Sequence, residues 1–137
     1  MPTFAAEADV RLKFQLSETA AAAELIADCL LQAHLCVVAR LDPAIDTEVE
    51  AERLRDGEAL LAGALVLRAL AAGQAADRRN VSLAGQRLDT GARGPALCEA
   101  AASAEYRGWE RLAPVLNTPP APLPALTTDP MPLTGED

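Results

Sequence analysis

Apolar positions recur at helical spacing through most of the chain. Val10 and Phe14 lie four apart, with Arg11 and Lys13 turned away, which predicts a short amphipathic turn or two before Leu16. From Thr19 to Leu41, the positions Ala22, Leu25, Ile26, Cys29, Leu30, Ala33, Cys36 and Val37 form one stripe, and Glu24, Asp28, Gln32 and His34 fall mostly off it. That period predicts a long helix with Ser17 as its N-cap, ended by Asp42-Pro43, because a residue before proline avoids the α region. A second long helix is expected over Glu48–Ala72, capped by Thr47 and stopped at Gly73. Its first half is charged. Its second half, around Leu60, Leu61, Leu65, Val66 and Leu67, is apolar nearly all round and must be surrounded by its own bundle or by a neighbouring subunit.

The texture then changes. Asn80 to Thr90 alternates at period two around Gly85-Gln86, which predicts a small β-hairpin with Leu83 opposite Leu88 and Val81 opposite Thr90. Gly94-Pro95 is expected to launch the last helix, with proline in its first turn. Along that helix Leu97, Ala101, Ala104, Gly108 and Leu112 make a small-residue face suited to close packing, Tyr106 and Trp109 sit around from it, and Pro114 stops it. Residues 117–137 hold six prolines and no base, as expected of an extended, polyproline-like tail. The expected fold class is therefore mainly α: a bundle of about four helices over residues 1–116 with one inserted hairpin, then the tail.

Composition supports the helical reading. The chain has 137 residues, 50% of them hydrophobic and only 3% aromatic, and the apolar share is mostly alanine and leucine. Too few residues are β-branched or aromatic for a β-sandwich or barrel. The formal net charge of −8 argues against wrapping nucleic acid, since each phosphate contact calls for a Lys or Arg. Glu7 and Asp9 stand where a signal peptide would be apolar, and the stretch Ala59–Ala72, broken by Arg68, is too short to span a bilayer, so no membrane association is expected. Three cysteines fit a reducing compartment better than a disulfide framework.

Candidate chemistry is sparse. Cys29, His34 and Cys36 share a helix, but Cys29 and Cys36 are seven apart, about 10.5 Å of rise, too far for two thiolates on one zinc ion. Ser17, Ser82 and Ser103 have one histidine to share, and no nucleophile elbow is present. Gly91-Ala-Arg-Gly94 lacks the lysine and hydroxyl of a phosphate loop. The acidic run Asp42–Glu58 lacks the spacing of a calcium loop and reads as a solvated helix face. No catalytic residue, metal site or cofactor is expected, and no enzyme.

The order of elements is more specific than any motif. A short opening helix at Thr3-Phe-Ala-Ala-Glu-Ala-Asp-Val10, a longer one at Ala23-Glu-Leu-Ile-Ala-Asp-Cys-Leu-Leu-Gln-Ala33, the Asp42-Pro43 break, an Ala/Leu-rich helix, a hairpin and a final helix together resemble the head–tail adaptor (connector) proteins of tailed bacteriophages and related gene-transfer particles. The resemblance covers about residues 3 to 116. It implies a homo-oligomeric ring, commonly of twelve copies, made in the host cytoplasm and placed in the virion at the head–tail junction. Such a ring sits beneath the portal protein, extends the channel through which DNA passes without sequence-specific contact, and docks a tail or stopper protein. The implied contact residues are Val81, Leu83, Arg87 and Leu88 of the hairpin and Pro119, Pro120, Leu123, Leu126, Met131 and Leu133 of the tail. The long proline-rich tail departs from the terminal helix that is an equally familiar solution in that family.

Overall fold

A computed structural model describes the backbone of residues 2–84 and 90–117, with side chains outside 74–93. Four helices make up this part: α1 (Glu7–Phe14), α2 (Ala23–Arg40), α3 (Ala51–Ala84) and α4 (Thr90–Leu112), followed by a 3-10 turn at Ala113–Val115. No strand occurs among the described residues; the nearest thing is an isolated antiparallel bridge between Leu41 and Leu116. The chain is thus mainly helical, and no helix among the described residues is long and apolar enough to cross a membrane.

Local chemistry sets the helix ends. At the start of α1 the Asp9 carboxylate accepts the Ala6 N–H at 2.8 Å, satisfying a donor the helix cannot. Gln15 ends α1 in the left-handed region (φ 53°, ψ 49°), and the Arg11 guanidinium donates to the Ser17 carbonyl at 2.8 Å beyond it. Ser17 does cap, but only a short turn: its hydroxyl accepts the Ala20 N–H at 3.1 Å, and α2 begins later, at Ala23. After Asp42-Pro43, Asp46 rather than Thr47 supplies the cap, its carboxylate taking the Glu48 N–H at 3.0 Å ahead of α3.

α3 is the centre of the molecule. α1, α2 and α4 all pack on it, and the stretch expected to need cover receives it from its own chain: Leu54, Ala59, Leu61, Ala62, Ala64, Val66 and Leu67 are buried. α3 pairs most extensively with α4 along the expected small-residue face, where Ala101, Ala104 and Leu112 are buried. Gly108 permits that approach, because a Cβ there would stand 2.9 Å from Leu61 Cδ2 and 3.2 Å from the Gly57 carbonyl. A node of partly exposed charges ties three helices together: Asp56 of α3 meets Lys13 of α1 at 3.7 Å and Arg111 of α4 at 3.4 Å.

The expected hairpin is not found among the described residues. Val81 to Ala84, its expected first strand, continue α3 as helix, and Thr90 belongs to α4; the expected turn and the rest of the second strand, residues 85–89, lie outside the described part. Gly73 does not stop α3, and Pro95 lies inside α4 rather than at its first position. Period-two alternation over a few residues is overridden when a long helix can run on beside a partner helix, because glycine costs a helix only about 1 kcal/mol. Of the expected tail, residues 117–137, only Asn117 lies within the described part.

Candidate functional site

The expected contact residues are not brought together by the described structure. Val81 and Leu83 fall near the end of α3, where positions two apart no longer share a face as they would on a strand. Arg87, Leu88, Pro119, Pro120, Leu123, Leu126, Met131 and Leu133 lie outside the described residues.

Three other features stand out, and the spacing of α2 organises all of them. Its buried face is Ile26, Cys29, Leu30, Ala33, His34 and Val37. His34 therefore belongs to the stripe, correcting the expectation that it lies off it, whereas Cys36 is exposed. The opposite face carries Leu31, Leu35 and Val38, spaced i, i+4 and i+7, and these are 43%, 51% and 45% exposed. An apolar row of this kind on an acidic molecule has no partner among the described helices.

Inside the fold, His34 meets Glu58. Glu58 is 0% exposed and His34 5%. His34 Nδ1 lies 2.8 Å from Glu58 Oε1, and Glu58 Oε2 accepts the Ala5 N–H at 2.9 Å. The His34 ring also packs on Phe4, with centroids 4.8 Å apart and planes tilted by 58°. Burial pushes the Glu58 carboxyl above the usual carboxylate range, against the opposing pull of its hydrogen bonds from Ala5 and His34. The arrangement is a clamp: it staples the segment before α1 to both α2 and α3. Its chemical capacity is to hold one proton between two heteroatoms away from solvent. Glu58 is thus no part of a solvated acidic face.

Neither partner of this clamp was legible as such, yet the signal existed. His34 is four residues beyond Leu30, and Glu58 four beyond Leu54, so both sit on apolar stripes. Cys29 is buried and its thiol pKa is raised by that burial and by Asp28. Among the described residues no group of three His, Cys, Asp or Glu side chains could hold a metal ion.

The third feature is a cleft of about 80 Å³ between α2 and α4, floored by α3. Cys36, Leu61, Ala64, Leu65 and Trp109 line it, and the Arg68–Glu105 ion pair, at 2.7 Å, borders it. The Arg40 guanidinium lies 5.1 Å above the Trp109 ring, a cation–π contact at the α2 end. No protein family, no curated protein and no solved structure matches the chain.

Proposed function

We propose that the chain is a structural assembly component acting through protein–protein contacts, in the form of a head–tail adaptor: a ring below a portal that lengthens the DNA channel and docks tail components. The observation that carries this reading is the unpartnered row Leu31, Leu35 and Val38 on the outer face of α2. Exposed leucines at helical spacing lose free energy in water and regain it against another subunit. A further support is the outer part of the α3–α4 pair. Ala72, Gly73, Pro95, Ala96, Cys98, Glu99 and Ala100 are exposed, and the α3 backbone runs on as helix from residue 72 to 84, about 20 Å. An exposed stretch of this kind suits contact with a neighbour, the role expected of the hairpin. The order of helices around the Asp42-Pro43 break also remains that of the resemblance, with the hairpin as the exception.

A second reading, a helical interaction protein of another assembly, rests on the same row of α2. One experiment separates them. Genes for portal, capsid and tail proteins are expected beside that of this chain, and co-expression with that portal should give a ring-shaped co-complex in negative-stain electron microscopy. Leu35→Asp should leave the helical circular dichroism unchanged and abolish the ring. A chain that stays apart from the portal overturns the adaptor reading, and a variant that assembles like the wild type removes α2 as the contact.

A further inference from the structure

The chain leaves the described fold at a defined place and in a defined direction. The Asn117 N–H donates to the Arg40 carbonyl at 2.7 Å, and the Asp42 N–H donates to the Val115 carbonyl at 3.0 Å. With the antiparallel Leu41–Leu116 bridge, these bonds set the exit beside the last residues of α2, with Leu116 and Asn117 running antiparallel to the extended segment that follows the helix. Arg40, at that exit, is the residue stacked over Trp109, and Trp109 lines the cleft between α2 and α4. α2 and α4 each pack on α3 but, among the described residues, their backbones do not approach one another, so the cleft is a groove with Leu61, Ala64 and Leu65 as its floor. Asn117 is therefore tied beside Arg40, the residue that reaches over Trp109 at one end of the apolar groove.

The residues after Asn117 suit such a groove. Residues 118–128 carry no charge and read Thr-Pro-Pro-Ala-Pro-Leu-Pro-Ala-Leu-Thr-Thr. Proline-rich segments dock on aromatic-lined grooves because the polyproline conformation loses little entropy on binding. The lengths also agree. From Arg40 to Ala33 the groove wall is about 10 Å long at 1.5 Å per residue. At about 3.1 Å per residue an extended tail places residues 118–120 roughly 3 to 9 Å beyond Asn117, within the length of that wall.

We propose that residues 118–120 of this chain's own tail occupy the α2–α4 groove, with Pro119 and Pro120 against Trp109 and Leu65. The own tail is favoured over a second copy because it is tethered at the mouth, at an effective concentration in the millimolar range, whereas a groove this small offers far less than the roughly 800 Å² per partner of a stable interface. This assigns the inner tail to the chain itself and leaves Met131 and Leu133 for a neighbour.

The test uses the full chain and its own reporters. Trp109 is the sole tryptophan, Cys36 lies in the groove, and the exposed Cys98 lies outside it. The comparison is with the full chain carrying Pro119→Ser and Pro120→Ser, whose helical dichroism should match. If segment affinity and effective concentration are of similar size, the groove is covered at least half the time, so acrylamide quenching of Trp109 and alkylation of Cys36 should both rise about twofold in the variant. Alkylation of Cys98 should not change, nor should the wild-type values on dilution. Equal quenching and equal Cys36 rates in the two proteins overturn the proposal. Wild-type protection that fades on dilution assigns the groove to a neighbour's tail and overturns it too. None of these readouts depends on the adaptor reading.

Discussion

Removing His34 tests the clamp most directly. In His34→Ala the Glu58 carboxyl keeps only backbone N–H donors, those of Ala5 and Phe4, in a site with no solvent contact. Removing one partner of a buried hydrogen-bonded pair costs about 3 to 5 kcal/mol. Part of that is recovered, because burial already favours the neutral carboxyl and Glu58 can take up a proton. Loss of the ring contact with Phe4 adds about 0.5 to 1 kcal/mol. A net loss of about 3 kcal/mol is expected at pH 7, a large share of the 5–15 kcal/mol typical of a domain. Urea unfolding followed by circular dichroism measures it, and Glu58→Leu with the double variant completes a cycle. The double variant should lose at least about 1.5 kcal/mol less than the sum of the singles, since no unpaired carboxylate remains. Amide exchange gives a local readout: Ala5 should exchange faster in Glu58→Leu, which loses its acceptor, than in His34→Ala. A His34→Ala loss below about 0.5 kcal/mol, or an additive cycle, refutes the clamp. If His34 is purely structural, His34→Ala that still folds should assemble like the wild type.

Two further substitutions probe the clamp and the packing of α1. The Glu58 pKa is raised in the fold, so its contribution to stability is fully present below about pH 4.5 and is lost as pH rises through the folded value, with a slope of at most about 1.4 kcal/mol per pH unit. Glu58→Gln removes that slope, so unfolding from pH 4 to 8 should show the variant gaining on the wild type as pH rises; a constant difference would rule out a raised Glu58 pKa. Gly63 faces the Phe14 ring so closely that a Cβ would overlap it, and Gly63→Ala should cost about 1 to 3 kcal/mol by overpacking, less the roughly 1 kcal/mol that alanine adds to a helix. A higher midpoint of thermal unfolding in that variant would show that α1 packs elsewhere.

The helical class, the Asp42-Pro43 break and the close face of α4 were legible because each rests on local chemistry or on a period sustained over several turns. Leu97, Ala101, Ala104, Gly108 and Leu112 could be read as a packing face since small residues four apart leave only backbone to meet a neighbour. The hairpin was not legible for a physical reason. Val81, Ser82 and Leu83 alternate as a strand would, but a short alternating stretch cannot outweigh a 34-residue helix lying against another one. The ends of helices shifted for a similar cause: Asp46 and Thr47 are both good caps, and only the folded turn decides which carboxylate or hydroxyl reaches the open N–H groups. The clamp was hidden by composition. Glu58 ends a run of charges, most of which are solvated, and what buries it is contact with α2 and the segment before α1, which no local pattern encodes.

The location of unsatisfied apolar surface changes the case for assembly. From the chain alone, the all-round apolar stretch of α3 called for cover by its own bundle or by a neighbouring subunit. The fold answers that need internally: α1, α2 and α4 cover Leu54 to Leu67, and glycines at 57, 63 and 108 bring the covering groups close. A core so rich in alanine buries little area per residue, and Gly57 and Gly63 add none of their own, so each contact that staples α3 to its neighbours carries more of the stability than it would in a leucine-rich core. That is why a costly buried His34–Glu58 pair is tolerable here: it fixes the N-terminal segment where few large side chains are present to do so. With α3 covered, the large apolar side chains still open among the described residues are Leu31, Leu35 and Val38 on the outer face of α2, together with Leu12, Val49 and Tyr106. The α2 row is where three of them follow helical spacing on one face, so the proposed assembly contact rests on that row and is tested there by Leu35→Asp.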